Sequence, residues 1–196
     1  MAVAAAVVVA AYLLGTFPTA ALVGRRAGFD PSEAGSGNPG ASNSFRLGGK
    51  RAGAMVLAGD LLKGVVATAA GALLGGTALG LAAGGAAVVG HVFPATRGFR
   101  GGKGVATAMG VIVVLEPLGA LAGAGAWGLV LAASRTASLA SLAGVTVAFV
   151  TIAAQRRPAG EIAGFAALGL LIAVRHRGNL SRLRSGTEHE ISEDSR

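Results

Sequence analysis

Residues 104–133 read GVATAMGVIVVLEPLGALAGAGAWGLVLAA. The stretch holds one charged residue, Glu116, and Pro117 follows it directly. About 20 helical residues suffice to cross a hydrocarbon core roughly 30 Å thick, so this stretch is too long for a single crossing. Proline removes a backbone donor and restricts the residue before it, which predicts a break near the middle. Such a break would give two short membrane spans, although the sequence alone leaves one span or two open.

The rest of the chain repeats this pattern. Of its 196 residues, 53% are hydrophobic and only 13% are charged, with a mean hydropathy of +0.64. A soluble domain would carry about a quarter charged residues. Residues 2–11 lack the alternation of a membrane β-strand, which favours helices. We predict a single all-α membrane domain over 1–196, with a polar cytoplasmic tail from 184. The remaining predicted spans are 2–24, 52–74, 77–95, 138–154 and 159–175.

Basic residues between the spans predict which side each end faces. An outside N-terminus and seven spans place most of them in the cytoplasm, as the positive-inside rule requires. Those placed inside are the basic residues of 25–51, 97–103, Arg135 and the tail from Arg175. Arg156 and Arg157 then lie outside. Six spans would bring that pair inside but move Arg135 and the tail outside, so we predict about seven, with a cytoplasmic C-terminus.

The formal net charge of +8 has the same explanation, because cytoplasmic loops of membrane proteins retain Lys and Arg. Aromatic residues amount to 5% and do not interleave with basic runs, so nucleic acid is not a predicted partner. The absence of cysteine excludes disulfides and thiolate chemistry. Three histidines and nine scattered carboxylates form no ligand pattern, so we predict neither metal nor cofactor.

The first polar island is residues 35–43, GSGNPGASN, followed by Arg46. This composition is typical of ordinary turns. Its formal match to G-x-G-x-x-G does not indicate a dinucleotide site, which needs a βαβ unit. Ser36, Asn38, Asn43 and Arg46 nevertheless lie within eleven residues and would suit a phosphate. Turn and phosphate site both remain open.

The second island joins residues 90–94, GHVFP, to residues 97–104, RGFRGGKG. It lacks the Walker pattern, because arginine occupies the position of the first glycine and Gly104 replaces the Ser or Thr. One interpretation is a flexible basic loop. The other is an anion site, because glycines flank Lys103 directly before a predicted helix, where backbone N–H groups and an ammonium would converge.

The third island is residues 175–184, RHRGNLSRLR, followed by GTE at 186–188. It could be a basic tail that is attracted to anionic lipid. If the last helix continues through it, His176 and Asn179 share one helix face. Separately, Asp60 and Lys63 lie within an apolar span, where each charge costs roughly 3 kcal/mol. They require mutual pairing or a polar cavity, and either a structural or a direct role is open.

In order and spacing, these islands resemble the motifs of the bacterial glycerol-3-phosphate acyltransferase family that uses acyl-phosphate donors. Those motifs are S-G-N-P-G-[AS]-[ST]-N with a following arginine, G-H-x-F-P with F-[KR]-G-G-K-G-V-A-T, and R-H-x-x-N-[IL]-x-R-L-x-x-G-[ST]-E. Here they correspond to Ser36–Asn43 with Arg46, Gly90–Thr107 and Arg175–Glu188, and a D-x-x-K-G match begins at Asp60. Departures are mild, with Ser42 for threonine and Arg100 for lysine.

The resemblance implies a seven-helix fold with the motifs at the cytoplasmic face of the cell inner membrane. It also implies transfer of a fatty acyl group from acyl phosphate to the 1-hydroxyl of glycerol 3-phosphate. The residues expected to be catalytic are Ser36, Arg46, Lys103, His176 and Asn179. Those expected to bind substrate phosphate are Gly37, Asn38, Gly40, Asn43, Arg100, Gly101, Gly102 and Gly104. The residues expected to support them are Asp60, Lys63 and His91.

The residue types suit this chemistry. Arg46 can clamp one phosphate in a bidentate way, while Lys103 and the glycine amides hold another. His176 has the intrinsic pKa of a base, but a substrate phosphate could accept the proton instead. The expected partners are glycerol 3-phosphate, acyl phosphate and membrane lipids, and a soluble enzyme that produces acyl phosphate stays open. The alternative function is a small multi-span transporter of lipid phosphates or anions.

Overall fold

The computed structural model describes residues 1–191, and every regular element within them is helical, which confirms the predicted all-α class. The helices are α1 (Ala2–Gly15), α2 (Thr19–Ala27), α3 (Ala41–Val92), a 3-10 turn (Ala95–Arg97), α4 (Val105–Leu115), α5 (Pro117–Ser134), α6 (Ala137–Ala154), α7 (Ala159–Arg175) and α8 (Arg177–Arg184). Residues 192–196 of the predicted polar tail lie outside the described residues.

The longest element, α3, folds back on itself. Its 52 residues would extend about 78 Å if straight, far beyond the thickness of a bilayer. Helical geometry fails at Gly75 and at Gly76, where φ is 72° and glycine is favoured. A Cβ on Gly71 would lie 2.6 Å from the Leu79 carbonyl oxygen, so the two arms pack closely. We call arms 50–74 and 77–92 the α3 hairpin, and its turn confirms the predicted boundary between two spans.

Contacts between turns define two ends of the bundle. At the far end, Arg157 Nε lies 2.9 Å from Glu116 Oε1, which joins the α4–α5 and α6–α7 connections. At the opposite end, which we call the site end, Ile191 N donates to Arg135 O at 2.7 Å. The break predicted in 104–133 is confirmed, because α4 ends at Leu115 and α5 begins at Pro117.

The helices have the length and the surface of membrane spans. By length and composition, α1 with α2, α3 with its following turn, α5 and α6 could cross a membrane, and the pair α7–α8, bent by 51°, would be a fifth candidate. With 11 residues, α4 extends only about 16 Å. Leu73, Leu121 and Leu129 are 88%, 73% and 75% exposed, as residues in contact with lipid would be. The number of seven spans stays a prediction.

Glycines set the closest helix approaches. A Cβ on Gly64 would lie 2.1 Å from the Thr107 carbonyl oxygen, and one on Gly110 would lie 2.3 Å from the Leu61 carbonyl oxygen. Backbones this close leave no room for side chains, which is how small residues join membrane helices. The first arm of the α3 hairpin therefore fixes the position of α4 and of the loop before it.

Two sequence expectations change in the structure. The region 25–51 is not a simple loop, because α2 extends to Ala27 and α3 begins at Ala41. The last helix does not run straight through the third island, because it bends by 51° between α7 and α8. His176 lies at this bend, as the residue that ends α7 and precedes α8.

Candidate active site

The structure brings the polar islands together at the site end. Arg175 Nη2 donates to the Gly101 carbonyl oxygen at 3.1 Å, and its guanidinium lies 5.6 Å from the centre of the Phe93 ring. These contacts join the third island to the second. Arg46 donates from Nε to Glu190 O and from Nη2 to His189 O, both at 3.0 Å, which joins the first island to the C-terminal segment.

The Glu188 carboxylate lies at the centre of this convergence. Asn179 Nδ2 donates to Glu188 Oε1 at 2.6 Å, and Ser138 Oγ donates to the same oxygen at 3.0 Å. Arg182 Nε donates to Oε2 at 2.8 Å. We call Ser138, Asn179 and Arg182 the anion centre, because neutral and charged donors meet there on one anionic group. The segment 187–191 is thus bound to the site rather than extended as a polar tail.

The glycine loop, residues 101–104, precedes α4. A Cβ on Gly101 would lie 2.0 Å from the His91 carbonyl oxygen, so only glycine fits there. Gly104, with φ of 84°, is the N-cap of α4. Gly102 N donates to His91 O at 3.2 Å, so this amide is occupied and does not serve a ligand. The N–H groups of the first turn of α4 have no carbonyl four residues back within the helix, which makes them the backbone donors at this point.

Lys103 faces the anion centre from the glycine loop. Burial lowers the pKa of its ammonium to about 8, the nearby Glu188 carboxylate opposes that shift, and Arg182, Arg46 and Arg175 add to it. The Glu188 carboxylate therefore affects the ammonium more than any one of the three arginines does. Arg46 is one of the cations that lower the pKa of Lys103, and the predicted roles of both side chains in binding phosphate stay predictions.

His176 is buried between α7 and α8 and is only 1% exposed. Its Nδ1 lies 2.8 Å from the Ile172 carbonyl oxygen. Because a carbonyl oxygen only accepts, Nδ1 carries the proton, and a neutral ring then has its lone pair on Nε2. Burial lowers the pKa of His176 to about 4, with smaller effects from its neighbours. At neutral pH the ring is uncharged and can accept a hydrogen bond from a hydroxyl.

Ser36 is held at the same end through Asn43. Asn43 Oδ1 accepts from Ser36 N at 2.9 Å, and Nδ2 donates to Pro31 O and Ala34 O at 2.9 and 3.0 Å. These bonds use the whole Asn43 amide, so the structure gives Asn43 the role of holding Ser36, in place of the predicted contact with phosphate. Asn43 and Arg46 are three residues apart on α3, which places the Ser36 loop beside Arg46.

The other predicted binding residues are less involved. Gly37 has a positive φ of 66°, and Asn38 and Gly40 form the turn before α3 through the bond from Gly40 N to Asn38 O. Arg100 is exposed on the loop after the 3-10 turn. Within residues 1–191, no hydrogen bond or ion pair joins Arg100 to the anion centre.

The predicted supporting residues, Asp60, Lys63 and His91, form a cluster next to the glycine loop. Asp60 Oδ1 lies 2.9 Å from Lys63 Nζ and 3.5 Å from His91 Nδ1. Lys63 Nζ also donates to the Phe17 carbonyl oxygen at 3.3 Å. All three side chains are buried. Mutual pairing of Asp60 and Lys63, one of the two possibilities that the sequence left open, is therefore present, with His91 beside it.

Sequence reasoning missed part of the site. Ser138 is one of several Ser and Thr residues in residues 134–141, and no pattern in the sequence distinguishes it from them. Glu188 and Arg182 belong to the third motif, so the resemblance could have assigned them, but their convergence with Ser138 depends on how α6 packs. Within residues 1–191, no group of three or more His, Cys, Asp or Glu side chains could hold a metal ion.

Comparison with known proteins identifies the family of this chain. A family model described as glycerol-3-phosphate acyltransferase matches residues 5–186. The chain belongs to this family. A glycerol-3-phosphate acyltransferase of Thioalkalivibrio sulfidiphilus is 44% identical over 193 residues, covering 97% of this chain and 95% of that relative. One from Synechococcus elongatus is 42% identical over 198 residues, covering 96% and 94%.

Two solved structures share the whole fold of this family member. A crystal structure of PlsY (YgiH), an integral membrane glycerol 3-phosphate acyltransferase, in its glycerol 3-phosphate form superposes with a TM-score of 0.92, at 36% identity and with 96% of each chain covered. The lysophosphatidic acid form gives a TM-score of 0.89 at 36% identity, covering 95% of this chain and 94% of the other. Together with its apolar helices, family membership makes the chain an integral membrane protein.

Proposed function

We propose that this protein transfers a fatty acyl group from acyl phosphate to the 1-hydroxyl of glycerol 3-phosphate, giving lysophosphatidic acid and inorganic phosphate. The observation that carries the proposal is that the three polar islands meet at one end of the bundle: Arg175 contacts the Gly101 carbonyl oxygen, and Arg46 contacts the backbone of the C-terminal segment, whose Glu188 carboxylate binds Asn179 and Arg182. Relatives that cover nearly the full chain carry the name of this activity, and solved relatives are described in the glycerol 3-phosphate and lysophosphatidic acid forms.

Two phosphate groups need two sets of donors. We assign one to Arg46 with Ser36, and the other to Lys103 with the first-turn N–H groups of α4. Charge-assisted hydrogen bonds of this kind contribute roughly 1.5–3 kcal/mol each. Asn179, already a donor to the Glu188 carboxylate, has the character needed to bind a substrate oxygen.

The reaction then requires little from the protein beyond placement. The substrate hydroxyl attacks the acyl carbonyl carbon, the bond to the phosphate oxygen breaks, and phosphate leaves with the electron pair. His176 Nε2 accepts the hydrogen bond of the attacking hydroxyl and aligns it, and the proton passes to a phosphate oxygen. Donors from Asn179 or the α4 amides stabilise the oxyanion. Positioning supplies most of the rate increase.

We place the acyl chain in an apolar groove between the second arm of the α3 hairpin and α7. This groove encloses about 390 Å³ and is lined by Leu81, Val89 and Leu171 among others. Its Val89 end lies one turn from Phe93, over which the Arg175 guanidinium lies. A chain in this groove would remain in contact with lipid, while its head reached the glycine loop.

For the whole protein we infer a single domain of seven spans in the inner membrane, with the N-terminus outside and the site at the cytoplasmic face. Lys and Arg collect at the site end, which supports this orientation. Substrates that arise in the cytoplasm would then reach the site directly.

The direct test uses purified protein in detergent, supplied with palmitoyl phosphate and glycerol 3-phosphate. We expect lysophosphatidate and phosphate to form in equal amounts without a second compartment. Palmitoyl-CoA and palmitoyl-acyl carrier protein are supplied in parallel to identify the donor. If none of the donors yields product, the proposal fails. The alternative, a transporter, then predicts phosphate-ester uptake into vesicles, but the polar islands all lie at one end of the bundle, which does not favour it.

A His176→Ala variant tests the hydroxyl-aligning role. We expect kcat to fall about 10²-fold because the ring aligns the reacting hydroxyl, and the melting temperature to fall as well because the ring is buried, so kinetics are measured on the folded fraction. Steady-state kinetics with both substrates measures this. Nearly full turnover with unchanged KM values would show that His176 neither aligns the hydroxyl nor serves as a base.

A further inference from the structure

Asp60, Lys63 and His91 form a buried cluster that the acyl-transfer reaction itself does not use. Their exposures are 3%, 4% and 5%, and they connect the two arms of the α3 hairpin. Removing charges from water is costly, and apolar residues of similar volume often stabilise such a position equally well. Stability alone therefore does not account for an ion pair with a histidine beside it.

The two nitrogens of the His91 ring lie next to different parts of the structure. Its Nδ1 lies 3.5 Å from Asp60 Oδ1, the same oxygen that lies 2.9 Å from Lys63 Nζ. Its Nε2 points to the glycine loop, because a Cβ built on Gly102 would lie only 2.2 Å from it. The next two nearest atoms to that Cβ are also His91 ring atoms, at 2.9 and 3.2 Å.

His91 also holds the loop through its backbone. Gly102 N donates to the His91 carbonyl oxygen at 3.2 Å. Ring and carbonyl together therefore fix Gly102, the residue directly before Lys103. The position of the Lys103 ammonium depends on that backbone, because any displacement of the loop moves the side chain with it.

We propose that His91, oriented by the Asp60–Lys63 pair, is a positioning residue that sets the placement of the glycine loop and thereby of Lys103. The proposal rests on the proposed role of Lys103 in binding substrate phosphate. The His91 ring supports Gly102 on one side, and the Asp60 carboxylate, 3.5 Å from Nδ1 on the other side, limits the orientations that the ring can take. A carboxylate that orients an imidazole in this way is a common device for fixing functional groups.

The far end of the bundle offers a matched control. Glu116 is 1% exposed and pairs with Arg157 at 2.9 Å, so it is also a buried carboxylate with one cationic partner. It lies in the α4–α5 connection, at the other end of α4 from the glycine loop. Loss of either carboxylate should destabilise the protein, but only loss of Asp60 should move Lys103.

The first experiment compares Asp60→Asn, His91→Gln, Lys103→Gln and Glu116→Gln in detergent, with KM measured for both substrates. Lys103→Gln identifies the substrate whose KM depends on the ammonium. We expect Asp60→Asn and His91→Gln to raise the KM of that same substrate at least about tenfold, because small misplacements in a site are costly. Glu116→Gln should lower the melting temperature and leave both KM values within about twofold of wild type.

The second experiment is a double-mutant cycle between Gly102→Ala and His91→Ala. In the wild-type background the added methyl group meets the imidazole and displaces the loop, so KM rises. In the His91→Ala background that methyl has space, so Gly102→Ala should add little further change. A smaller effect of Gly102→Ala in the His91→Ala background than in wild type would show that the contact between the ring and the loop couples the two positions.

The outcomes separate the two proposals. Wild-type protein without acyl transfer overturns the function and the positioning role together. Active wild-type protein, with Asp60→Asn and His91→Gln variants that lose melting temperature as Glu116→Gln does but keep KM, overturns the positioning role alone. Additive effects in the cycle also overturn it. His91→Gln keeps a polar side chain in the cavity, so the result does not depend on the folding of the alanine variant.

Discussion

Lys103 binds an anion only while its ammonium is charged. Its surroundings lower its pKa, so that the charge is lost at a pH that can be reached in an assay. Burial lowers its pKa to about 8. A lowered lysine pKa means that the charge is complete below that value and is lost as pH rises through it. We therefore expect kcat/KM to fall about tenfold per pH unit above pH 8, because kcat/KM reports ionisations of the free enzyme.

Lys103→Arg is the control for this pH dependence, since guanidinium stays charged throughout the range. The variant should have a lower kcat/KM but no alkaline decline near pH 8. Substrate phosphates complete their second ionisation near pH 6, so they do not produce the same limb. An identical decline in Lys103→Arg would assign the ionisation to another group.

Glu188 opposes the shift of Lys103, which allows a second prediction. Burial raises the pKa of Glu188, but hydrogen bonds from Asn179, Ser138 and Arg182 outweigh this and lower it. The carboxylate is therefore ionised at neutral pH and supports the charge of Lys103. Glu188→Gln should move the alkaline limb of the kcat/KM profile to lower pH, and an unchanged limb would exclude this coupling.

Motif residues were predictable at this scale, and their partners were not. The glycines before a predicted helix were a local signal for Lys103, whereas His176 was assigned only through the resemblance to the family. Asn43 was predicted to bind phosphate because an exposed side-chain amide can donate hydrogen bonds to it. Its actual role depends on two carbonyl oxygens, of Pro31 and Ala34, that only the folded loop brings to it.

At the scale of elements, the glycine crossing between the first arm of the α3 hairpin and α4 carries the glycine loop. A Cβ on Gly64 would collide with the Thr107 carbonyl oxygen at 2.1 Å, whereas Gly125 has open space around it. Gly64→Ala should destabilise the protein by about 1–3 kcal/mol. Gly125→Ala should be neutral or stabilising by up to about 1 kcal/mol, because alanine favours a helix.

Reversible unfolding in detergent and lipid mixtures measures both variants, and acyl transfer reports whether α4 still places its loop. Gly64→Ala should lower the activity by more than the loss of folded protein accounts for, because the crossing positions the start of α4. Equal behaviour of the two variants would mean that this contact contributes nothing to the arrangement. The same substitution on two helices keeps the chemistry of the change constant.

Breaks within the helices were predictable to different degrees. Pro117 marks its break through its own covalent structure, so the sequence sufficed. The turn of the α3 hairpin falls at Gly75 and Gly76, between the predicted spans 52–74 and 77–95, so hydropathy located it although nothing local distinguishes these two of 33 glycines. The bend at His176 was not predicted; beside it, Arg175 contacts the Gly101 carbonyl oxygen and Asn179 contacts the Glu188 carboxylate.

Considered as a whole, the molecule accounts for one of the two arginines, Arg156 and Arg157, that oppose seven spans. Arg157 violates the positive-inside rule, but its guanidinium makes two bonds with the Glu116 carboxylate, at 2.9 and 3.0 Å. An arginine whose charge is neutralised by a carboxylate has little effect on how the helices are oriented in the membrane. Six spans would also put Arg46 and the C-terminal segment on opposite membrane faces, although they are hydrogen-bonded.

Sidedness can be tested without removing native thiols, because the chain has no cysteine. We would introduce single cysteines at exposed positions, Ala27 and Ser185 at the site end, and Thr77 and Ala159 at the far end. An impermeant maleimide is applied to intact spheroplasts and then to permeabilised ones. Seven spans with a cytoplasmic site predict labelling of Thr77→Cys and Ala159→Cys in intact cells, and of the other two only after permeabilisation.

The two competing topologies give different patterns. Six spans would expose Thr77→Cys and Ser185→Cys outside while hiding Ala159→Cys, because every segment after residue 133 reverses. A fully inverted bundle would expose Ala27→Cys with Ser185→Cys and would put the glycine loop outside, away from cytoplasmic substrates. Acyl transfer is measured for each variant, so that only folded, active protein is scored. Labelling of Ser185→Cys from outside in an active variant would therefore refute the cytoplasmic site, whichever topology produced it.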